Sequence, residues 1–250
     1  MEKNHAENNM LADVQGVIFD YGGTIDTDGQ HWGKKIWHAY ERLAIPITEA
    51  QFRDAYVAAE RTLGRSPLIR PDHNFLDTLQ MKIRIQLEHL CMNGHWEADE
   101  EMFRQMHSAL VAHLYEDTTK TVARNKAILS LMAERFPMVL VSNFYGNLCT
   151  VLREFALDGF FRHVVESATV GIRKPESRIF QIGADALGLS PAHVVSIGDS
   201  FYKDVEPAKK IGCHTIWLKG EGWTSATYDE SVPDAIIHSL SELCGIFQLS

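Results

Sequence analysis

The fold of this chain is decided by the stretch Val14-Gln15-Gly16-Val17-Ile18-Phe19-Asp20-Tyr21-Gly22-Gly23-Thr24. Its apolar residues at 17–19 predict a short β-strand that is buried on both faces. The strand ends in Asp20, and because two glycines follow closely, the backbone can turn sharply beyond the carboxylate. Open α/β sheets bind their ligands at such carboxyl ends. On these residues alone, a plain turn that contains an aspartate explains the pattern as well as a functional site does.

The composition is that of an ordinary globular protein. The 250 residues are 45% hydrophobic and 23% charged, which suits one large domain or one domain that carries an insertion. The net charge of −9 and the lack of a dense Lys/Arg cluster predict no nucleic-acid partner. The four cysteines form no C-x-x-C pair and are expected to be reduced, mostly buried thiols. Residues 1–10 are polar and no apolar stretch approaches bilayer length, so we expect a cytoplasmic protein without a membrane partner.

After the first turn the pattern changes from strand-like to helical. From about residue 31 to residue 115 the apolar residues recur at helical spacing, with breaks at Pro46, 64–67 and 70–73. Helices are predicted near 32–43, from Thr48 to the second break, over 75–90 and over 99–113. Because this block contains no convincing strand, it is predicted to be an inserted, all-helical cap domain formed by residues 28–118.

From residue 119 onward, strands and helices alternate. The predicted strands are the apolar runs 138–141, 164–165, 194–197, 215–218 and 235–237. The predicted helices are 122–134, 147–155, 177–187, 204–211 and 240–247. Repeated strand–helix–strand units with short connections are typical of a parallel sheet that is covered by helices on both faces. We therefore predict an α/β fold whose doubly wound parallel core consists of residues 1–27 and 119–250.

Polar residues stand at the ends of three further elements of this predicted core. In chain order they are Ser142 and Asn143 after the strand 138–141, Lys174 before Pro175, Asp199 after the strand 194–197, and Asp204. Pro175 is placed to open a helix, where proline is well tolerated. Taken singly, these residues are explained as helix caps, a surface charge or a helix N-terminal acid. Their occurrence in this order on one α/β chain is the functional signal.

In these segments the chain resembles the haloacid dehalogenase (HAD) superfamily. The matching signatures are Phe19-Asp20-Tyr21-Gly22-Gly23-Thr24, Val141-Ser142-Asn143, Gly171-Ile172-Arg173-Lys174-Pro175, and Ile197-Gly198-Asp199-Ser200 through Asp204. The resemblance covers about residues 14–24 and 119 to the C-terminus. The helical block lies where the subgroup with helical caps carries its insertion. The resemblance therefore implies a Rossmann-like HAD core with a helical cap.

The resemblance also implies a chemistry. Asp20 would be a nucleophile that forms an aspartyl-phosphate, which water later hydrolyses, and Lys174 would supply positive charge beside it. A carboxylate attacks a phosphoryl group readily only when the negative charges of both are neutralised, and Mg²⁺ held by oxygen ligands achieves this. The implied metal ligands are Asp20, the main-chain carbonyl of Gly22, Asp199 and Asp204. The implied phosphate-binding residues are Ser142, Asn143, Gly23 and Thr24.

One position departs from the pattern of the family's phosphatases. The second residue after their nucleophile is an aspartate that protonates the leaving group and then activates water, whereas this chain has Gly22. Such acid–base help is worth roughly 10²- to 10⁴-fold in rate. Either the substrate carries a good leaving group, or a substitute such as Asp26, Asp28 or His31 takes over this role.

The expected function is that of a Mg²⁺-dependent hydrolase that acts on a small phosphorylated metabolite. A helical cap can close over such a substrate and exclude water, which makes a polymeric substrate less suitable. The predicted substrate contacts in the cap are Asp28, His31, Trp32 and Arg65.

Two other functions stay open. A phosphonatase-like C–P hydrolase would need a cap lysine that forms an imine, but the break at 64–67 carries Arg65, which cannot form one. The other cap lysines considered are Lys34, Lys35 and Lys82. The chain could also be a weakened module that binds phosphate and metal. A dehalogenase is disfavoured because that branch lacks the acidic metal pair, which is present here as Asp199 and Asp204.

Overall fold

The computed structural model describes residues 11–65 and 68–249, so the predictions for residues 1–10 and for Ser66 and Pro67 lie outside the described residues. Its strands are β1 (Gly16–Phe19), β2 (Met138–Ser142), β3 (His163–Glu166), β4 (Val194–Gly198), β5 (His214–Leu218) and β6 (Ala235–Ile237). They form one parallel sheet in the order β3-β2-β1-β4-β5-β6. The predicted doubly wound parallel core is therefore confirmed.

The first strand lies at the point where the strand order reverses. β1 pairs with β2 on one side and with β4 on the other, so that Phe19 is in register with Leu140 and Ile197. All residues of β1, β2 and β4 are buried, as their uninterrupted apolar pattern predicts. Because ligand sites of open α/β sheets form at such a switch point, Asp20 lies where the fold favours a site.

Between β1 and β2, the described residues form helices joined by turns and loops, and no strand. The helices are α1 (Trp32–Arg42), α2 (Glu49–Arg65), α3 (Phe75–Met92) and the start of α4 (Glu100–Arg135). Side chains satisfy the free N–H groups at their first turns. Thr48 and Gln51 bond each other reciprocally before α2, and Asn74 forms a capping box with Asp77 at α3.

Helix α4 is a single helix of 36 residues, whereas the sequence pattern predicted two helices with a gap near residues 114–121. That gap contains two adjacent threonines, which are weak helix formers. However, Thr118 and Thr121 are buried, and the Thr119 hydroxyl donates to the carbonyl of Tyr115 one turn earlier. Tertiary packing therefore overrides the local preference. The proposed boundary between residues 118 and 119 falls inside this continuous helix.

The remaining helices are α5 (Leu148–Glu154), α6 (Ser167–Val170), α7 (Arg178–Leu187), α8 (Glu206–Lys210) and α9 (Leu243–Phe247). Pro175 does not open α7, which begins three residues later at Arg178. The predicted helix 204–211 is a π-helical turn, Phe201–Val205, followed by α8, and the last helix is preceded by a 3₁₀ turn, Leu240–Glu242. Helix α6 was not predicted.

The sheet separates two apolar layers. Ile18 faces α7 and packs with Ile179 and Phe180, while Val17 and Phe19 belong to the larger core that continues among the helices between β1 and β2. The four cysteines are free thiols, but the expectation that most are buried is wrong, because only Cys213 is buried and Cys149 is exposed. Among the described residues, no helix combines the length and the apolar character that crossing a bilayer requires.

Candidate active site

Asp20 is buried at the carboxyl end of β1 and is held by two donors from other segments. The Ser142 hydroxyl, at the end of β2, donates to Asp20 Oδ1 at 2.9 Å. The Lys174 ammonium donates to the same oxygen at 2.7 Å. These residues are 122 and 154 positions away in the sequence, and both are buried. The sheet topology thus brings three of the predicted site residues into direct contact.

Two further carboxylates complete the cluster. Oxygen atoms of Asp20, Asp199 and Asp204 all lie within 4.8 Å of one another. Lys174 also donates to Asp204 Oδ1 at 2.5 Å, so one ammonium is shared between two carboxylates. Burial, followed by repulsion from Asp204 and Asp20, raises the pKa of Asp199 well above its ordinary value. One ammonium faces three carboxylates, so the fully ionised cluster would carry more negative charge than the protein itself compensates.

The turn after β1 fits against this cluster only because it contains Gly23. This residue has φ +97, and a β-carbon on it would lie 2.5 Å from the Asp199 carboxylate oxygens. A side chain is excluded there both by backbone conformation and by contact. The Asp199 N–H donates to the Thr24 hydroxyl at 3.0 Å, which ties the turn to the end of β4. Gly23 and Thr24 thus shape the site.

Asn143 is engaged with the main chain of Lys174. Its side-chain amide donates to the Lys174 carbonyl at 3.0 Å, and its oxygen accepts the Lys174 N–H at 2.9 Å. This reciprocal pair joins the loop after β2 to the loop that carries the lysine. In this structure Asn143 positions Lys174, although the residue also lines the cavity described next.

A cavity of about 400 Å³ opens above the cluster, between the carboxyl end of the sheet and the helices that follow β1. Its floor contains Asp20, Gly22 and Ser142. A β-carbon placed on Gly22 would have no heavy atom within 4 Å. The position at which related phosphatases carry their acid–base aspartate is therefore open space in this chain.

The three candidate substitutes for that aspartate have different environments. Asp26 lines the cavity and accepts the Gly23 N–H at 2.7 Å and the Trp32 indole N–H at 2.8 Å. Burial raises the pKa of the Asp26 carboxyl to about 7, although both hydrogen bonds oppose the shift. Asp28 does not line the cavity, because its carboxylate binds Arg124 and the N–H of Leu240. Asp28 is therefore not placed to act on a substrate.

His31 lines the cavity but caps α1. Its Nδ1 accepts the N–H of Gly33, which leaves no lone pair free on the ring in its neutral form. Burial lowers the pKa of His31 to about 4. The charged groups that act on it further are Lys203, Glu60, Lys82 and Arg53, of which only Glu60 favours the protonated ring. His31 is consequently a neutral wall of the cavity at neutral pH.

The lowered pKa of His31 predicts how the free energy of unfolding depends on pH. A histidine that is neutral when folded takes up a proton on unfolding below its ordinary pKa of about 6.5, so its contribution to stability is present above that value and is lost as pH falls toward 4. His31→Asn keeps a capping side chain without the titrating ring. The wild-type free energy of unfolding, measured by urea titration, is expected to fall relative to the variant by up to about 1.4 kcal/mol per pH unit in this window. If the free energies of unfolding of the wild type and the variant change with pH in parallel, the prediction is wrong.

Of the other predicted cap contacts, Trp32 lines the cavity and Arg65 does not. Arg65 is exposed and borders a separate hollow near Ile69 and Arg173. Trp32 lies at the start of α1, whereas Arg65 lies at the C-terminal end of α2, away from the cavity.

Sequence reasoning missed an ion pair in the wall of the cavity. Lys82 Nζ lies 2.7 Å from Glu60 Oε1, and the Tyr145 hydroxyl donates to Glu60 Oε2 at 2.8 Å. One signal was available, because Lys82 occupies the buried stripe of α3 between Leu79 and Ile83. A lysine on an apolar helix face is uncommon unless it has a partner.

Comparison with known proteins places this geometry in a family. A profile described as haloacid dehalogenase-like hydrolase matches residues 14–212. A glyceraldehyde 3-phosphate phosphatase of Pyrococcus furiosus is 30% identical over 93 residues, which are 37% of this chain and 39% of that protein. A phosphoglycolate phosphatase of Shigella boydii is 24% identical over 252 residues, covering 94% of this chain and 93% of that protein.

Solved structures agree on the fold. The putative HAD-hydrolase YfnB of Bacillus subtilis, in a magnesium-bound crystal structure, superimposes with a TM-score of 0.55 at 18% identity, covering 94% of this chain and 99% of that one. The family match spans the site from the turn after β1 to the acidic pair after β4, where Asp20, Lys174, Asp199 and Asp204 meet. The chain therefore belongs to the haloacid dehalogenase-like hydrolases.

Proposed function

We propose that this chain is a Mg²⁺-dependent phosphatase that hydrolyses a small phosphate ester through an aspartyl-phosphate on Asp20. The observation that carries the proposal is the position of the Asp20 carboxylate, which is buried, held by Ser142 and Lys174, and directly below a cavity. The resemblance to phosphatases named in the comparisons supports the reaction class.

The donor set fits a hard divalent cation. Three carboxylates lie within 4.8 Å of one another, and the one ammonium beside them, that of Lys174, pairs with Asp20 and Asp204. The group therefore has a net charge of about −2 when all three carboxylates are ionised. Asp20, Asp199, Asp204 and the carbonyl of Gly22 would hold the ion. Mg²⁺ bound there would neutralise the cluster and reduce the repulsion between Asp20 and a phosphate dianion.

The residues of the chain orient the nucleophile and bind charge. Ser142 and Lys174 both donate to Oδ1 of Asp20, which fixes the rotamer of the carboxylate toward the cavity. Asn143 holds the main chain of Lys174, so the ammonium is positioned before substrate arrives. Attack by Asp20 forms the P–O bond of the acyl phosphate as the bond to the leaving oxygen breaks. Water then attacks phosphorus and regenerates the carboxylate.

The leaving oxygen needs a proton, and Asp26 is the best-placed donor. Outside the acidic cluster, the carboxylates that line the cavity in the described chain are Asp26 and Glu60. Glu60 is held by Lys82 and Tyr145, whereas Asp26 has only neutral N–H partners. Asp26 is therefore proposed to replace the aspartate that is absent at Gly22.

The proposed role of Asp26 is tested by dependence on the leaving group. Asp26→Asn is expected to lower kcat for an alkyl ester such as glycerol 3-phosphate by roughly 10²-fold, because alkoxide leaves poorly without a proton. The loss for 4-nitrophenyl phosphate should stay below about 5-fold, because nitrophenolate leaves unaided. Retained activity on the nitrophenyl ester also shows that the turn is intact. Equal losses on both esters would assign Asp26 a structural role instead.

The proposed function is tested by a phosphate-release screen over a metabolite library with and without Mg²⁺. Turnover that requires Mg²⁺ is expected, and binding of phosphate and Mg²⁺ with no turnover across the library would favour a binding module.

In the phosphonatase alternative, the lysine that forms the imine would be Lys82, which lines the cavity. Burial lowers the pKa of Lys82, but Glu60 more than offsets this and holds the amine protonated. Release of phosphate from phosphonoacetaldehyde, with borohydride trapping on Lys82, would establish that alternative.

A further inference from the structure

The wall of the cavity above Asp20 is built largely from aromatic rings. Trp32, Tyr56 and Phe75 come from the helices after β1, Phe144 and Tyr145 come from the loop after β2, and Trp223 comes from the loop between β5 and β6. These rings are contributed by three separate parts of the chain. The cavity of about 400 Å³ also falls within the range of sites that enclose a small organic molecule.

The rings are held in fixed orientations. Trp223 packs in a tilted arrangement against Tyr56, at 4.9 Å between ring centroids and 42° between the planes, and against His31, at 5.1 Å and 32°. Its indole packs so closely on Gly33 that a β-carbon there would lie 2.1 Å from the ring. The Arg53 guanidinium covers Trp223 at 4.0 Å and donates to its carbonyl at 2.6 Å. The aromatic wall is therefore formed without a ligand.

The charges around these rings are mostly paired. Lys174 binds Asp20 and Asp204, and Lys82 binds Glu60. Lys203 is the cavity-lining cation that makes no ion pair within the described residues, and its side chain is exposed at the rim. A second anionic group on the substrate would thus meet no buried, unpaired cation beside the rings.

We propose that the substrate of this phosphatase is a phosphate monoester whose organic part is a flat, uncharged aromatic ring, held between Trp223, Tyr56 and the rings on the opposite wall. The proposal rests on the proposed function, because it assigns the phosphoryl group to Asp20. Stacked and edge-to-face contacts with such rings favour a planar π-system over a saturated ring of similar size. Attack at phosphorus and cleavage of the P–O bond release the aromatic alcohol, which takes its proton from Asp26.

The test compares three alkyl phosphates with leaving groups of similar reactivity. Benzyl phosphate carries the ring, cyclohexylmethyl phosphate has a saturated ring of similar size, and glycerol 3-phosphate has neither. With Mg²⁺, kcat/KM for benzyl phosphate is expected to exceed that for the cyclohexyl ester by roughly 2- to 12-fold, the range of one aromatic contact. A larger preference over glycerol 3-phosphate is expected, mostly through KM.

A binding measurement separates this inference from the proposed function. Benzylphosphonate and cyclohexylmethylphosphonate, titrated calorimetrically into the wild-type protein with Mg²⁺, should show the same preference for the aromatic ring. If benzylphosphonate binds more tightly than cyclohexylmethylphosphonate but no ester is hydrolysed, the proposed phosphatase function is wrong and the aromatic binding site is supported. Turnover with equal use of benzyl and cyclohexyl esters, or with glycerol 3-phosphate used as well as either, would overturn the inference and keep the phosphatase.

Substitutions at Trp223 test whether this ring contributes to the affinity for the aromatic substrate. Trp223→Leu is expected to raise KM for benzyl phosphate roughly 2- to 12-fold, and Trp223→Phe should restore most of the affinity because it restores a ring. Trp37→Leu is the matched control, since Trp37 packs on Phe52 and does not line the cavity. Equal KM values for Trp223→Leu and the wild type would contradict the assignment of Trp223 to the substrate site.

Discussion

Asp20→Asn is expected to lower kcat for any phosphate ester by at least about 10⁴-fold, because an amide lacks the anionic oxygen that attacks phosphorus. The fold should survive the change. The Ser142 hydroxyl and the Lys174 ammonium can still donate to the amide oxygen, and Lys174 keeps its pair with Asp204. Removing one charge from three crowded, buried carboxylates also relieves repulsion. The measurement is steady-state phosphate release beside a thermal unfolding curve.

The matched control for this variant is Asp28→Asn in the same turn. Asp28 has φ 54, a left-handed conformation that asparagine tolerates well, and its carboxylate faces Arg124 and Leu240 instead of the cavity. Its activity should equal that of the wild type. A folded Asp20→Asn variant that keeps its rate would defeat the assignment of the nucleophile.

Gly22→Asp is expected to raise kcat for alkyl phosphates by roughly 10- to 10²-fold. The side chain has room, because no heavy atom lies within 4 Å of its β-carbon, and position 22 lines the cavity. Acid–base help is worth up to about 10⁴-fold where none exists, but Asp26 is proposed to supply part of it already, so the expected gain is smaller. The measurement is kcat for glycerol 3-phosphate at saturating Mg²⁺.

Two further variants distinguish the acid from the added bulk. Gly22→Ala adds the β-carbon without the carboxyl group and should give no gain. Gly22→Asp placed in the Asp26→Asn background should recover most of the lost rate, because the two carboxyl groups would serve the same proton transfer. If Gly22→Asp folds, binds Mg²⁺ and leaves the rate unchanged, the missing acid is not what limits turnover.

Strands β1, β2 and β4 were predictable because all three are buried on both faces. Such strands are nearly continuous apolar runs, and the polar residue that ends each run marks the edge of the sheet. The sequence pattern alone therefore predicted that Asp20 after β1 and Asp199 after β4 lie close together, as they do. The helices were harder, because threonine-rich polar segments such as the middle of α4 are held by tertiary burial and not by local preference.

The apolar runs and motifs of the chain were enough to predict the parallel α/β core, its helical insertion and the family signatures that converge on Asp20. They were not enough to predict which of the neighbouring polar residues face the cavity. Asp26, Asp28 and His31 lie within six positions of one another in the sequence. Even so, Asp26 faces the cavity without a charged partner, Asp28 binds Arg124, and His31 caps α1. The physical reason is that burial and partners, which set both charge and orientation, come from segments far away in the sequence. The aromatic wall has the same origin, since Trp223 reaches the cavity from the loop between β5 and β6 and packs there on Tyr56.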